Sequence, residues 1–390
     1  CVGKGVNLRM LNIGWFSTGR GEGSRGLLNF MQTRLIETGA NARINFVFSN
    51  RGRGEAEGSD EFFRLVDSYG IPLITHSSTE FRKQIGGRFS DHREEFDQQV
   101  MDKLAGRDAD VCVLAGYMLI VSGKMCRKLP LLNLHPALPD GPTGTWQEVV
   151  WELIEARASK TGAMIHLATE EVDRGPVVSY VTVPITGPGF DEHWQALEGQ
   201  DLDVIKKTEG ADFALFQAIR REQYRREPYL LFETLRVVSQ GEVRVVDGQV
   251  LDASGTQLSR SMPQGLCLDH QIAEAMLEDP ATKALGLHGL FIEAERHREP
   301  VAARHYAEEA AKTSPGLEWA GKAVLGYQAV AHHWDEALKT LERNYAAKML
   351  DKKTYRRQRA VILTALATKL EDGEPERAYS LAKEAHGLAL

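Results

Sequence analysis

The run Leu131-Leu132-Asn133-Leu134-His135-Pro136 places an amide and an imidazole two residues apart. In a β-strand that spacing puts both side chains on one face. Pro136 ends such a strand, so both groups fall near its carboxyl end, the edge where open parallel sheets bind ligands. An amide gives directed hydrogen bonds, and an imidazole exchanges a proton near neutral pH. A core histidine satisfied by a neighbour would show the same spacing. A second polar group, Glu170-Glu171-Val172-Asp173-Arg174-Gly175-Pro176, follows the apolar run Met164-Ile165-His166-Leu167. Gly175 and Pro176 mark it as a loop. A solvated surface loop has this composition too, and His135 is the partner that would give Asp173 a chemical task. The third feature, Ser17-Thr18-Gly19-Arg20-Gly21-Glu22-Gly23-Ser24-Arg25-Gly26, follows one apolar run and opens a helical pattern. Free backbone N–H groups and the helix dipole there suit an anion, although an ordinary tight turn is equally glycine-rich.

The elements that must position these residues are legible as alternation. Apolar, β-rich runs fall at Met10–Phe16, Ile44–Ser49, Ile71–Thr75, Val111–Tyr117, Leu131–His135, Ala163–Ala168 and Val177–Ile185. Helical periodicity lies between several of them, at Gly26–Thr38, Glu61–Tyr69, Glu94–Leu104 and Trp146–Ala158. Strands alternating with helices predict an α/β, mostly parallel, Rossmann-like sheet covered on both faces. Thr145 with Glu148 three residues on fits a capping box. After Pro188 the alternation weakens into a helix at Phe213–Arg226 and a hairpin at Val243–Leu251 around Asp247-Gly248. The expected organisation is a domain over 1–255, a linker over 256–276, and an all-α region over 277–390. In that last region Ala303-x-x-x-Ala307 and Ala337-x-x-x-Leu341 are 34 residues apart, and Gly289-Leu290 and Ala323-Val324 share the offset. Ala378-x-x-x-Ala382 follows after 41, implying a longer helix or loop. A period near 34 in paired helices is the tetratricopeptide signature; chance register among Ala-rich helices is the alternative.

Composition narrows the function classes. A chain of 390 residues exceeds what one core usually fills, and a formal charge of -7 leaves no basic footprint for nucleic acid. Four cysteines without CxxC spacing suggest a reducing, cytoplasmic setting and no zinc site. The longest apolar runs, such as Val111 to Val121, are too short to span a bilayer. The sequence opens on Cys1 rather than Met, as a trimmed or partial chain would.

Taken together, the first ~250 residues resemble the folate-dependent formyltransferases of the glycinamide ribonucleotide formyltransferase type. The likeness is carried by Gly21-Glu22-Gly23-Ser24, Phe48-Ser49-Asn50-Arg51, Arg93-x-x-Phe96-Asp97 and Leu114-Ala115-Gly116-Tyr117-Met118. It continues through Asn133-Leu134-His135-Pro136-Ala137-Leu138 and from Thr161-Gly162 through His166 to Asp173-x-Gly175-Pro176. The resemblance implies transfer of a formyl group from 10-formyltetrahydrofolate to an amine, without a metal. It implies that Asn133, His135 and Asp173 are catalytic, with Asn133 and a protonated His135 donating to the formyl oxygen and Asp173 favouring the charged imidazole. Tyr117, Met118, Leu119, Ile120 and Val121, with Arg93, Glu170, Glu171, Val172 and Gly175, would hold the folate. Gly21, Glu22, Gly23, Ser24 and Arg25 would hold the phosphate of the amine substrate, glycinamide ribonucleotide in the first instance. The chain departs from the family after the Asn-x-His-Pro motif, where Ala137-Leu138-Pro139-Asp140-Gly141-Pro142 replaces a Ser and a Leu-Leu-Pro loop, and in Glu22 within the phosphate loop. Another amine acceptor, hydrolysis of 10-formyltetrahydrofolate, or a non-catalytic scaffold are the competing functions. From about Leu277 the chain resembles the tetratricopeptide protein family associated with haem biosynthesis, through Asp279-Pro280-Ala281-Thr282, Gly286-Leu287-x-Gly289-Leu290 and Arg356-Arg357-Gln358-Arg359. That likeness implies a protein or peptide partner.

Overall fold

The computed structural model describes residues 9–187, 189–258 and 265–389, so Cys1 and part of the expected linker lie outside the described residues. The chain divides into two compact units, one within Cys1–Thr186 and His193–Asp269, the other within Gly187–Glu192 and His270–Leu390.

The first unit is built on a twisted sheet of eight strands: β1 Leu11–Phe16, β2 Ala42–Ser49, β3 Leu73–Thr75, β4 Val111–Leu114, β5 Leu131–His135, β6 Lys160–Leu167, β7 Val177–Pro184 and, beyond a hairpin of β8 Val243–Val246 with β9 Gln249–Asp252, β10 Leu266–Cys267. The order across the sheet is β10-β7-β6-β5-β4-β1-β2-β3. All six residues of β1 and all four of β4 are buried, as central strands covered on both faces require. Helices α1 Glu22–Glu37, α2 Glu57–Ser68, α3 Ser78–Ile85, α4 Arg93–Lys103, α5 Gly123–Lys128 and α6 Trp146–Glu155 connect the strands. Further on come α7 Asp191–Ala196, α8 Leu202–Thr208 and the 26-residue α9 Ala214–Ser239, which packs on β6 and β7. The capping box expected at Thr145 is formed: its side chain accepts from the Glu148 N–H while Glu148 reaches back to the Thr145 N–H.

Within the eight-stranded sheet, pairing among the described residues is parallel except around one reversed strand. β6 runs antiparallel to both β5 and β7, with Asn133 opposite His166 and His135 opposite Met164. Asn133 also lies opposite Leu114, and Leu114 opposite Phe16, so Asn133 is level with the carboxyl ends of β4 and β1.

Three expectations require correction. Helix α1 begins at Glu22 with Gly21 as its N-cap, so Glu22 to Arg25 form its first turn rather than a loop. β4 stops at Leu114, because Gly116 takes a left-handed conformation (φ 70°) that turns the chain out of the sheet. The segment expected as linker contains β10, which pairs with β7, and α10 Asp269–Met276.

The second unit is helical in its described part after residue 282: α11 Lys283–His297, α12 Pro300–Thr313, α13 Glu318–Val330, α14 Trp334–Ala346, α15 Lys352–Leu370 and α16 Pro375–Ala389. Each packs on the next in sequence. α12 and α14 begin 34 residues apart and α14 and α16 begin 41 apart, the longer interval being taken up by the 19-residue α15. Ala303, Ala307, Ala337 and Leu341, at matching places of α12 and α14, are all fully buried. Among the described residues no helix is long and apolar enough to cross a membrane.

Candidate active site

Alternation in β5 places Asn133 and His135 on one face, and the antiparallel register of β6 sets His166 directly opposite Asn133. The chain then returns through a loop, 168–176, whose course is fixed by two backbone features. Gly175 is packed so closely that a Cβ there would lie 1.7 Å from the Leu167 carbonyl oxygen. Asp173 is left-handed (φ 56°), a conformation costing a non-glycine residue roughly 1–2 kcal/mol. The result is that Asp173 turns inward and its side chain is only 8% exposed.

Its carboxylate gathers the site. The Asn133 amide nitrogen donates to Asp173 Oδ1 (3.2 Å) and to His166 Nε2 (3.1 Å). The Gly144 N–H donates to Asp173 Oδ2 at 3.1 Å, and His135 Nδ1 lies 3.6 Å from the same oxygen. His166 Nε2 is 3.5 Å from Oδ1. Carbonyls only accept, so the tautomers follow from two contacts. His135 Nε2 carries a hydrogen because it faces the Pro142 carbonyl at 2.8 Å. His166 Nδ1 carries one because it faces the Leu167 carbonyl at 3.1 Å, leaving its Nε2 to accept from Asn133.

Burial pushes the His135 imidazole below its ordinary pKa, and the pull of the Pro142 carbonyl and Asp173 does not restore it. The ring is 2% exposed as a residue. This corrects the expectation of a protonated His135: the structure favours the neutral ring, with a lone pair at Nδ1. Burial also raises the Asp173 carboxyl, but its contacts with His166 and His135 and the Gly144 N–H together hold it below the usual carboxylate range. Asp173 is therefore an anion at neutral pH.

The trio Asn133, His135 and Asp173 is thus brought together. His166, Pro142 and Gly144 join it without having been singled out as site residues. For His166 the available signal was period-2 alternation in β6, which puts it on the Gly162 and Met164 face. Gln223, fully buried on α9, is another such residue: its amide donates to the Pro136 carbonyl (2.7 Å) and to Thr161 Oγ1 (2.9 Å), fastening β5 to β6 just beyond His135.

The residues expected around a folate divide. Tyr117 packs inward on Phe16 and Phe48 (5.8 and 6.1 Å between ring centres), Leu119 lies against the same core, and Val121 is buried. Met118 and Ile120 point out, at 59% and 50% exposure, as does Val172 of the neighbouring loop at 49%. Glu170 pairs with Arg127 (3.5 Å) and a Cβ on Gly123 would meet its carboxyl, so the two loops adjoin. Gly175 packs against the Leu167 backbone. Glu171 is exposed. Arg93, at the start of α4, has a buried Nε without a hydrogen-bond partner. Of the residues expected to hold phosphate, Gly21, Glu22, Gly23 and Ser24 cap and begin α1, while Arg25 is engaged in an ion pair with Glu61.

Comparison with known proteins shows what the chain is similar to. Curated proteins similar to this chain include three phosphoribosylglycinamide formyltransferases. That of Schizosaccharomyces pombe is 30% identical over 123 residues, 30% of this chain and 58% of that protein. That of Haemophilus influenzae is 28% identical over 196 residues, 49% of this chain and 80% of that protein. That of Escherichia coli is 26% identical over 177 residues, 45% of this chain and 74% of that protein. Residues 21–195, which carry all three members of the trio, match the formyl transferase family.

Proposed function

We propose that the first unit transfers a formyl group from 10-formyltetrahydrofolate to a primary amine, with glycinamide ribonucleotide as the acceptor. The observation that carries this reading is the convergence of Asn133, His135 and Asp173, forty residues apart at the extremes, around one buried carboxylate. The acceptor is supported by the names of the three relatives.

The cosubstrate would supply an electrophilic formyl carbon; the exposed apolar side chains Met118, Ile120 and Val172 would suit a ring system with one hydrophobic face. The chain's own residues would then handle charge and protons. His135 is neutral, and its Nε2–H is anchored on the Pro142 carbonyl. Its Nδ1 lone pair would take the proton that the amine loses on attack and return it to the folate nitrogen as the formyl C–N bond breaks. Asp173, 3.6 Å away, stabilises the imidazolium so formed. Asn133 directs both amide hydrogens inward, and turning one toward the formyl oxygen would give the developing charge a donor of the kind whose loss costs about 10²–10³ in rate.

Mixing the protein with 10-formyltetrahydrofolate and glycinamide ribonucleotide and following folate absorbance tests the reading. Absence of turnover with that amine and with other phosphorylated or sugar amines would end it. Formate release without added amine would replace transfer by hydrolysis. For the second unit we propose tetratricopeptide-like repeats that bind a peptide, supported by the 34-residue spacing of α12 and α14.

A further inference from the structure

Between the end of β4 and the start of α5 the chain alternates inward and outward over five residues, Tyr117 to Val121. No strand pairing holds this arch, yet its two ends are each fastened by a buried polar side chain. At the near end the Met118 N–H donates to Thr18 Oγ1 at 2.9 Å. Thr18, itself buried, donates to Asn50 Oδ1 at 2.8 Å, and the Asn50 amide donates to Ser78 Oγ at 3.1 Å. The segments following β1 and β2 and the first residue of α3 are thereby linked to the arch by one hydrogen-bond relay. At the far end the Ser122 N–H donates to Oδ2 of Asp97 at 2.6 Å, a residue of α4 that is 2% exposed. A buried carboxyl accepting one backbone N–H is a costly device to place in a core where an apolar residue would pack. Its carboxyl is directed at the Ser122 N–H, the hinge where the arch meets α5.

We infer that Thr18 and Asp97 are positioning residues that hold the 117–121 arch so that Met118 and Ile120 face outward beside Val172 as a platform for the cosubstrate's ring system. The inference rests on the formyltransferase reading for its ligand. The arrangement of tethers is independent of it. Neither side chain reaches the platform itself. They act through the backbone at Met118 and Ser122. Their loss loosens the platform, and the trio on β5 and the 168–176 loop keeps its own contacts.

The full chain would be assayed as wild type, Thr18→Val, Thr18→Ser and Asp97→Asn. Initial rates against 10-formyltetrahydrofolate would be paired with hydrogen exchange at the amides of Met118 and Ser122. Expected are a rise in KM for the folate of about tenfold in Thr18→Val and Asp97→Asn with kcat within about threefold, and near-complete recovery in Thr18→Ser, which restores the hydroxyl. Faster exchange at Met118 in Thr18→Val, and at Ser122 in Asp97→Asn, is expected as well. Unchanged KM in both variants, or a fall in kcat alone, would overturn the assignment. So would Thr18→Ser as impaired as Thr18→Val. Should wild type show no turnover, the functional reading fails, and exchange then decides the tethers: amides as protected in both variants as in wild type would overturn them.

Discussion

Replacing Gly175 by alanine tests the geometry of the site without touching any side chain that does chemistry. A methyl there would lie 1.7 Å from the Leu167 carbonyl oxygen, 2.9 Å from its carbon and 3.0 Å from Thr169 Cγ2. Real Cβ contacts essentially never fall under 3.0 Å, so the gap must open by about 1.3 Å. The obstructing atom is backbone, and it belongs to a pair: the Leu167 N–H donates to the Pro176 carbonyl at 2.9 Å. No rotamer change relieves the clash, and the 168–176 loop must lift from the end of β6. Asp173 stands two residues before the substituted position, so a shift of that size carries its carboxylate out of reach of the Gly144 N–H and the Asn133 amide. A displacement near 1 Å at a catalytic group costs about 10²-fold in rate. The overpacking itself costs about 1–3 kcal/mol of stability. The assay is kcat/KM for formyl transfer together with urea unfolding of the same preparation. A variant that stays folded yet keeps wild-type kcat/KM within threefold would refute the claim that the loop's close approach sets the Asp173 position.

Asp173→Asn keeps the shape but removes the charge beside His135, and kcat should fall by about 10²–10⁴ in steady-state rates. The acid limb of kcat/KM should lie below pH 6.5, because burial lowers the His135 pKa from that ordinary value and proton acceptance is lost only as pH falls through the lowered one. A limb at or above 6.5 would contradict the neutral ring. The same group makes a linked contribution to stability: below about pH 6.5 the unfolded imidazole takes a proton that the folded one resists, so urea midpoints should fall with pH there. In the second unit Asp351 caps α15 by accepting from the Lys353 and Thr354 N–H groups, and Asp351→Ala should cost about 1 kcal/mol in unfolding followed by circular dichroism.

Much of the site was legible because β-strands have period two: Asn133 and His135 had to share a face. His166 was not, since its place opposite Asn133 depends on β6 running antiparallel, a property of pairing that an apolar run does not encode. The glycines at the start of α1 misled for a related reason. Gly23 and Gly26 weaken helix propensity by roughly 1 kcal/mol each, yet burial of Leu28, Met31 and Leu35 on α1 outweighs that and the helix starts at Glu22. Tyr117 was expected at a ligand from the family resemblance, and in a strand because the apolar pattern runs unbroken from Val111. The strand ends at Leu114, and after the turn at Gly116 the Tyr117 ring packs against the core. For His135 the attraction of Asp173 was foreseeable from the motif; the depth of burial that outweighs it was not.

The clasp that Gln223 forms across β5 and β6 has a consequence for how the protein is made. The trio is complete in the chain once residue 173 has left the ribosome, but its fastening is synthesised fifty residues later. At about 5–20 residues per second the interval is roughly 3–10 s. For that time the strand pair bearing the trio is without its clasp, and a nascent chain arrested before α9 would expose the underside of β6 and β7, the faces that this helix covers.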